Sequence, residues 1–313
     1  MPLSTHRFPR HATPTHVRIA LHYLYMNPEP LHSAKPISLP KLMGILNVTP
    51  DSFSDGGQFT SLETATAHAL QMALDGASII DIGGESTRPG AKRVSPKDQI
   101  ARTAPAIHNI RATLDENNLT HVIISIDTTH AVVAEAAIEN GATFINDVSA
   151  GTEDPAILNL AAEHNLPICL MHMQGAPGNM QANPTYQNVT QEVLDFLLTR
   201  ADLALSLGIP HHHIYLDPGI GFGKTPQHNL QLLADLDQFT ATSFPILLGV
   251  SHKSLFKHTS PTTAQNPEDR EPATNAVSAL ATTQNVAILR VHNLPANLQA
   301  IQTTHAILNT NQA

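Results

Sequence analysis

Residues 78–127 have the sequence SIIDIGGESTRPGAKRVSPKDQIARTAPAIHNIRATLDENNLTHVIISID, which begins and ends in short aliphatic runs. The runs at 78–82 and 122–126 consist mainly of Ile and Val, which is typical of parallel strands buried on both faces. Between them, Ser95 and Pro96 mark a helix start, because serine caps helix N-termini and proline is favoured at the first helical position. The segment is therefore predicted to form a strand, a helix and a second strand.

The same alternation of aliphatic runs and helical stretches continues along the chain after residue 40. Six more runs lie at 42–46, 143–145, 167–171, 214–216, 245–250 and 286–291. Asp154 and Thr225, each followed by proline, mark further helix starts. Glycines placed to end helices are Gly76, Gly141 and Gly208. Eight strands, each followed by a helix, predict a single (β/α)8 TIM barrel over residues 41–313, with a doubly wound open sheet as the alternative.

Two segments depart from this pattern. Residues 1–40 hold seven of the 23 prolines, which interrupt helices and strand pairing, so we expect an irregular, partly disordered N-terminal extension. Residues 257–272 are rich in Thr, Pro, Gln and Asp, and they are predicted to form a long loop after the seventh strand.

The composition of the 313-residue chain excludes several classes of protein. Its formal net charge is −9, whereas proteins that bind nucleic acid normally carry a basic face. The single cysteine, Cys169, lies in an aliphatic run and rules out an intramolecular disulfide framework. The sequence has neither an apolar run long enough to span a membrane nor a secretory signal, and we expect a cytoplasmic protein.

Polar side chains follow every predicted strand, at the rim where a (β/α)8 barrel carries its active site. Four of them suit a planar heterocycle with a guanidine-like edge, because carboxylates accept paired N–H bonds and an amide or ammonium serves the other ring atoms: Asp127, Asn146, Asp217 and Lys253. Four others suit a phosphate or diphosphate: Thr87, Arg88, Arg290 and His292. Asn47 and the acids of the first loop suit a hard cation. The whole set favours a heterocycle that carries a diphosphate.

The scarce cations are placed unevenly. Six of the 17 lysines and arginines follow predicted strand ends: Arg88, Lys92, Arg93, Lys224, Lys253 and Arg290. We therefore expect a positive field at the mouth of the barrel, where anionic substrates enter. Three consecutive histidines, 211–213, precede the sixth strand and are predicted to form a solvated loop at the opposite end, rather than a metal site.

Eight segments, one at each predicted strand, closely resemble the dihydropteroate synthase family. They are MGILNVTPDSFSDGG (43–57), DIGGESTRPGA (81–91), SIDT (125–128), IND (145–147), LMHMQG (170–175), LDPGIGFGK (216–224), SHKS (251–254) and RVHN (290–293). The resemblance extends from about residue 42 to the C-terminus, and the two longest segments have the family's order and spacing. Three positions depart from the family: His252 stands where Arg is usual, and Ala273 and Asn285 stand where Gly is common.

The resemblance implies an enzyme of folate biosynthesis. Family members join p-aminobenzoate to 6-hydroxymethyl-7,8-dihydropterin diphosphate and release 7,8-dihydropteroate and diphosphate. They use Mg²⁺, are inhibited by sulfonamides that mimic p-aminobenzoate, and form homodimers. The implied reaction is an SN1-like substitution, in which diphosphate leaves before the arylamine attacks.

The resemblance also implies roles for individual residues of this chain. The pterin would be held by Asp127, Asn146, Asp217 and Lys253, with Arg290 flanking the ring. The diphosphate would be met by Asn47, Thr87, Arg290 and His292, and Asn47 would also help to hold Mg²⁺. The p-aminobenzoate pocket would be lined by Arg88 and Ser254. The catalytic set would be Asp127, Asp217, Lys253, Arg290 and His292.

Two other functions stay open at the level of the sequence. One is a non-catalytic paralogue that binds pterins, for which His252 is the only support. The other is a methyltetrahydrofolate-dependent corrinoid methyltransferase barrel. Such a methyltransferase would lack the first loop and the Arg290-Val291-His292 segment, which a diphosphate requires and which are intact here.

Overall fold

The computed structural model describes residues 37–48, 58–86, 91, 93–175, 178 and 180–310 of the chain. Eight strands lie in this part: β1 (Lys41–Asn47), β2 (Ile79–Gly83), β3 (Ile123–Asp127), β4 (Phe144–Asp147), β5 (Ile168–Met171), β6 (Ile214–Asp217), β7 (Leu247–Leu248) and β8 (Ile288–Val291). They form one parallel sheet in the order β6-β5-β4-β3-β2-β1-β8-β7. A parallel bridge between Leu216 and Ile246 joins its two outer strands and closes the predicted barrel.

Helices alternate with the strands. Those in the described part are α1 (Gln58–Leu74), α2 (Pro96–Glu116), α3 (Ala131–Glu139), α4 (Ala156–Glu163), α5 (Val189–Ser206), α6 (Pro226–Ala234), α7 (Leu236–Thr240), α8 (Phe256–Thr259), α9 (Glu271–Thr283) and α10 (Leu294–Asn309), with 3₁₀ helices at His211–His213 and Glu268–Arg270. None of the helices described is long and apolar enough to cross a membrane. The fold is the predicted (β/α)8 barrel.

Every predicted aliphatic run overlaps a strand, with ends that differ by no more than two residues. The largest difference is at β7, which covers only two residues of the run 245–250. Pro245 has no N–H to give, and its carbonyl accepts from the Leu216 N–H at 3.0 Å. The Ile246 carbonyl accepts from Ala287 and Ile288, so the ladder passes from β6 to β8 just before β7 begins. The predicted N-terminal extension lies outside the described residues, except for 37–40.

The prediction of a long loop over 257–272 was partly wrong. This segment contains most of α8, the 3₁₀ helix Glu268–Arg270 and the start of α9. Arg270 is buried and holds the segment together, since its guanidinium donates to the carbonyls of Ala264, Gln265 and His252 at 2.7–3.1 Å. A sequence rich in proline and polar residues does not reveal that one arginine satisfies three carbonyls.

The helix starts predicted at Ser95 and Thr225 are confirmed, whereas α4 begins at Ala156, one residue later than Asp154 and Pro155 predict. Ser95 accepts from the Asp98 N–H at 3.2 Å and caps α2. Thr225 and His228 form a reciprocal capping box at the start of α6. Asp154 accepts from the N–H of Ala156 at 3.1 Å, and its second oxygen accepts at 2.8 Å from Ala131, the first residue of α3. Polar side chains therefore mark where the helices begin. Each of these helices follows a strand end at the rim.

Alternation along the strands builds the site. Every second side chain of a barrel strand points inward, and the first inward layer is an apolar cluster that consists of Met43, Ile79, Phe144, Cys169, Leu247 and Ile288. Two residues further along, three of the inward positions become polar: Asp81 follows Ile79, Asn146 follows Phe144, and Arg290 follows Ile288. The outward positions stay aliphatic and pack against the helices. The inward side chains thus change from wholly apolar near the strand starts to partly polar near the strand ends.

Candidate active site

A cavity of about 270 Å³ opens at the C-terminal ends of β1 and β8, among segments that follow β2, β5, β6 and β7. It is lined by five residues of the predicted site: Asn47, Lys253, Ser254, Arg290 and His292. Asp127 lines a smaller neighbouring cavity of about 20 Å³. Thr87 and Arg88, which were also predicted to bind substrate, lie outside the described residues.

Asp81, which the sequence analysis assigned no role, lies at the centre of the polar layer. Its carboxylate accepts from Arg290 Nε at 2.6 Å, from Asn146 Nδ2 at 3.0 Å and from Ser125 Oγ at 2.6 Å. Arg290 also donates from Nη2 to Asp127 at 2.7 Å. The signal for Asp81 was present in the sequence, because an acid inside an aliphatic strand must find a cation or donors when it is buried.

One guanidinium therefore serves two buried carboxylates. Burial raises the pKa of Asp127 to about 7; the charge of Arg290 opposes this rise, and the negative charge of Asp81 adds to it. Burial disfavours the charged form of Arg290, but Asp81 and Asp127 outweigh that effect and raise the arginine pKa. Arg290 is thus a permanent cation, whereas Asp127 can change its protonation state near neutral pH.

Asp217 ends β6 and opens a tight turn. Burial raises the pKa of its carboxyl to about 6, although the Gly219 N–H donates to it at 2.7 Å and the charge of Lys253 opposes the rise. Gly219 has a φ of +67°, and a Cβ there would lie 1.9 Å from the carbonyl oxygen of His172, so only glycine fits. Beyond the turn, Lys253 Nζ lies 4.2 Å from the ring centroid of Phe222, within cation–π range.

Lys224 does not contribute to the mouth in the way its position in the sequence predicts. It is only 2% exposed, and its ammonium donates to the carbonyls of Gly219 and Phe222, both at 3.0 Å, and to His172 Nδ1 at 2.9 Å. Burial lowers its pKa to about 7. Lys224 therefore braces the turn after β6 from within, and it is not presented to incoming anions.

The expected positive field is carried by fewer residues than predicted. Arg93 pairs with Glu85 and Glu153, which compensate its charge. Arg88 and Lys92 lie outside the described residues. Of the six cations assigned to the mouth, only Lys253 and Arg290 line the cavity in the described part of the chain.

His252, the departure from the family's usual arginine, also lines the cavity. Its Nε2 donates to Glu271 at 2.7 Å, and its ring is stacked on that of His292, with centroids 4.7 Å apart and an interplanar angle of 3°. His292 Nδ1 lies 2.9 Å from Ser251 Oγ. Sequence reasoning missed both Glu271 and Ser251, because neither partner is recognisable before the loops after β7 and β8 are brought together.

The histidines at 211–213 form a 3₁₀ helix that enters β6 from its N-terminal end, opposite the cavity, as predicted. Within the described ranges, no three or more His, Cys, Asp or Glu side chains are grouped as a metal site. Asn47 lines the cavity, and its amide oxygen is a ligand type that a hard cation accepts.

Comparisons with known proteins agree with this geometry. The family model described as "Pterin binding enzyme" matches residues 43–292. The dihydropteroate synthase of Haemophilus influenzae is 43% identical over 274 residues, which cover 87% of this chain and 96% of that protein. The structure of Yersinia pestis dihydropteroate synthase with a sulfonamide drug complex has a TM-score of 0.79 at 39% identity, covering 88% of this chain and 96% of that one.

A second solved structure, Xanthomonas albilineans dihydropteroate synthase with 4-aminobenzoic acid, also has a TM-score of 0.79 at 39% identity. The match covers 87% of this chain and 94% of that one. The similarity thus extends over almost the whole of these relatives and includes the rim that carries the cavity.

Proposed function

The chain belongs to the dihydropteroate synthase family of pterin-binding enzymes, and from that membership we propose how its own residues perform the reaction. The activity is the transfer that joins 6-hydroxymethyl-7,8-dihydropterin diphosphate to p-aminobenzoate in folate biosynthesis, giving 7,8-dihydropteroate and diphosphate. The non-catalytic paralogue and the corrinoid methyltransferase are not favoured, because the similar proteins and structures are dihydropteroate synthases.

The pterin is held by Asp127, Asn146, Asp217 and Lys253. The observation that carries this proposal is the buried cluster in which Arg290 joins Asp81 to Asp127. Asn146 also donates to the carboxylate of Asp81. Asp127 and Asp217 are 7% and 5% exposed, so their oxygens form strong, directional hydrogen bonds with a guanidine-like edge that reaches them. Arg290 flanks the ring.

The diphosphate is bound by Arg290, His292, Asn47 and Thr87. The first three line one cavity, which supports a common subsite, and Thr87 enters by resemblance alone. Asn47 fits Mg²⁺, since it offers an amide oxygen at the cavity and Mg²⁺ commonly takes substrate phosphates and waters as its other ligands. When bound, Mg²⁺ would neutralise charge on the diphosphate and make it a better leaving group.

The substitution is SN1-like. The bond between the pterin methylene carbon and the diphosphate oxygen breaks first, and the electron pair leaves with the diphosphate. The electron-rich dihydropterin delocalises the resulting cation, and Asp127 and Asp217 stabilise it electrostatically. The neutral arylamine nitrogen then forms the new bond and loses a proton, so no strong base is required. Ser254 of the same cavity and Arg88 line the p-aminobenzoate pocket.

The test is a single-turnover assay of diphosphate release from the pterin substrate, with and without p-aminobenzoate and Mg²⁺. We expect slow release without p-aminobenzoate, and release that depends on Mg²⁺ under both conditions. A complete absence of diphosphate until p-aminobenzoate is added would contradict the order of bond breaking. Normal turnover by the Arg290→Ala variant would contradict the proposed diphosphate subsite.

Three features of the whole molecule are also proposals. The homodimer formed through barrel helices is proposed from family membership alone. A monomeric mass by light scattering at micromolar concentration would contradict it. A cytoplasmic location and an N-terminal extension over residues 1–40, before a barrel over 41–313, complete the proposed organisation.

A further inference from the structure

A line of hydrogen bonds runs from the interior of helices α9 and α10 to the loop after β7. The Ser278 hydroxyl donates to Asn297 Oδ1 at 2.7 Å, and Asn297 Nδ2 donates to Glu271 Oε1 at 2.7 Å. The other oxygen of Glu271 accepts from His252 Nε2, also at 2.7 Å. Ser278 and Asn297 are fully buried, so Glu271 is held from behind and presents one fixed oxygen to His252.

The same line continues to His292 through ring stacking. The two imidazoles are almost parallel, at 3°, with centroids 4.7 Å apart. His292 is also held in the plane of its ring, because Nδ1 lies 2.9 Å from Ser251 Oγ. The contact with Ser251 thus restrains rotation of the His292 ring, and the stacked His252 ring covers one of its faces.

The backbone of His252 is fixed as firmly as its ring. Its φ is +58°, in the left-handed region that non-glycine residues rarely adopt. Arg270 Nη1 donates to its carbonyl at 2.7 Å, and its N–H donates to Thr274 Oγ1 at 3.3 Å. Three elements therefore place the His252 ring: the 3₁₀ helix before α9, the body of α9 and the loop after β7.

We propose that Glu271 and His252 are positioning residues that orient the His292 imidazole for the diphosphate of the pterin substrate. The inference rests on the proposed role of His292 in diphosphate binding. It also gives a role to His252, which stands where the family usually has arginine. The Nε2 of His252 is directed at Glu271 and one face of its ring at His292, so its described contacts serve the diphosphate side of the cavity.

Calorimetric titration with inorganic diphosphate and Mg²⁺ tests the proposal. Glu271→Leu removes the carboxylate, and His252→Asn removes the ring with a residue that tolerates positive φ. We expect both variants to bind diphosphate about tenfold more weakly, the effect of losing one hydrogen bond that orients a ligand-binding group. We expect their affinity for 6-hydroxymethylpterin, which has no diphosphate, to be unchanged. Glu268→Leu, which removes an exposed carboxylate three residues earlier, is the matched control.

The His292→Ala variant separates failure of this inference from failure of the proposed function. If His292→Ala binds diphosphate normally, the proposed role of His292 is wrong and the inference falls with it. If His292→Ala loses affinity while Glu271→Leu and His252→Asn do not, only the positioning role is refuted. Equal losses of diphosphate and pterin affinity in the two variants would also refute it, since they would indicate general disruption. So would a change confined to the KM for p-aminobenzoate, which would place His252 in that pocket.

Discussion

Replacing Asp81 with asparagine should shift the pH dependence of the enzyme toward acid. Asp81 and Asp127 share the guanidinium of Arg290, through contacts of 2.6 Å and 2.7 Å. Asp81→Asn keeps the shape and removes one negative charge. Two carboxylates bonded to one guanidinium lie about 5 Å apart, so their repulsion at an effective dielectric constant of about 20 is about 3 kcal/mol. At about 1.4 kcal/mol per pH unit, the pKa of Asp127 should fall by about two pH units.

The assay is the pH profile of kcat/KM for the pterin substrate, which reports ionisations of the free enzyme. In the parent enzyme, activity should fall as the pH drops below about 7, because the Asp127 carboxylate becomes protonated. In Asp81→Asn this limb moves down until Asp217, with a pKa of about 6, becomes limiting. The acid limb of the profile should therefore move by about one pH unit, half of the fall in the pKa of Asp127.

The comparison needs a control, because Asp81→Asn also weakens the hold on Arg290 and will lower the plateau. Ser125→Ala removes the other short hydrogen bond of Asp81, at 2.6 Å, without changing any charge. It should lower the plateau and leave the acid limb in place. The substrate diphosphate titrates near pH 6 as well, but identically for every variant. An acid limb that stays at the parent midpoint in Asp81→Asn, or moves to higher pH, would refute the shared-guanidinium reasoning.

Three further substitutions test other parts of the site. Lys253→Ala should weaken binding of 6-hydroxymethylpterin about 10- to 100-fold in a fluorescence titration, because a charged donor is lost; unchanged affinity would exclude Lys253 from the pterin pocket. Lys224→Met should lower the free energy of unfolding in urea by about 3 kcal/mol, since the acceptors around the ammonium, His172 Nδ1 among them, are left without their donor. Gly219→Ala should lower the free energy of unfolding by more than about 3 kcal/mol. Gly208→Ala is the control, because φ is also positive there but nothing lies within 4 Å of a Cβ, and it should lower that free energy by about 1 kcal/mol. Equal losses in the two variants would show that backbone conformation alone sets the effect.

The barrel could be predicted from the sequence because its strands are buried on both faces. Runs such as 122–126 and 214–216 are short and aliphatic, and capping residues such as Ser95 and Thr225 mark the starts of the helices between strands. Local chemistry thus fixes the number and order of the elements. The predicted strand ends were less accurate, and those of β7 were the least accurate. Just before β7, backbone N–H groups of both neighbouring strands donate to the carbonyls of this run, and the sequence of the run does not show those partners.

The site was predictable where a residue's role depends on its own position, and less so where it depends on a distant partner. Asp127, Asp217 and Arg290 lie at or near strand ends, so the rim was their expected place. Asp81 was overlooked although it joins strands β2, β4 and β8, because its partners are 65 and 209 residues away in the chain. Lys224 was misjudged for a related reason: a lysine just after a strand end resembles a substrate-binding cation until the turn that buries it is seen.

The bridge from Arg290 to Asp127 has a consequence for how the enzyme selects its substrate. The described site already contains a guanidinium on the carboxylate proposed to receive the pterin. For a pterin that bonds the same oxygen of Asp127, binding exchanges one planar donor for another, and folding has already removed most of the water from that carboxylate. A ligand that bonds both oxygens of Asp127 must displace Arg290 from one of them, and a heterocycle without paired N–H donors gains nothing by doing so. Selection among heterocycles therefore depends on displacing Arg290 from Asp127 as well as on shape. An inhibitor that leaves the Arg290–Asp127 contact intact binds without that displacement.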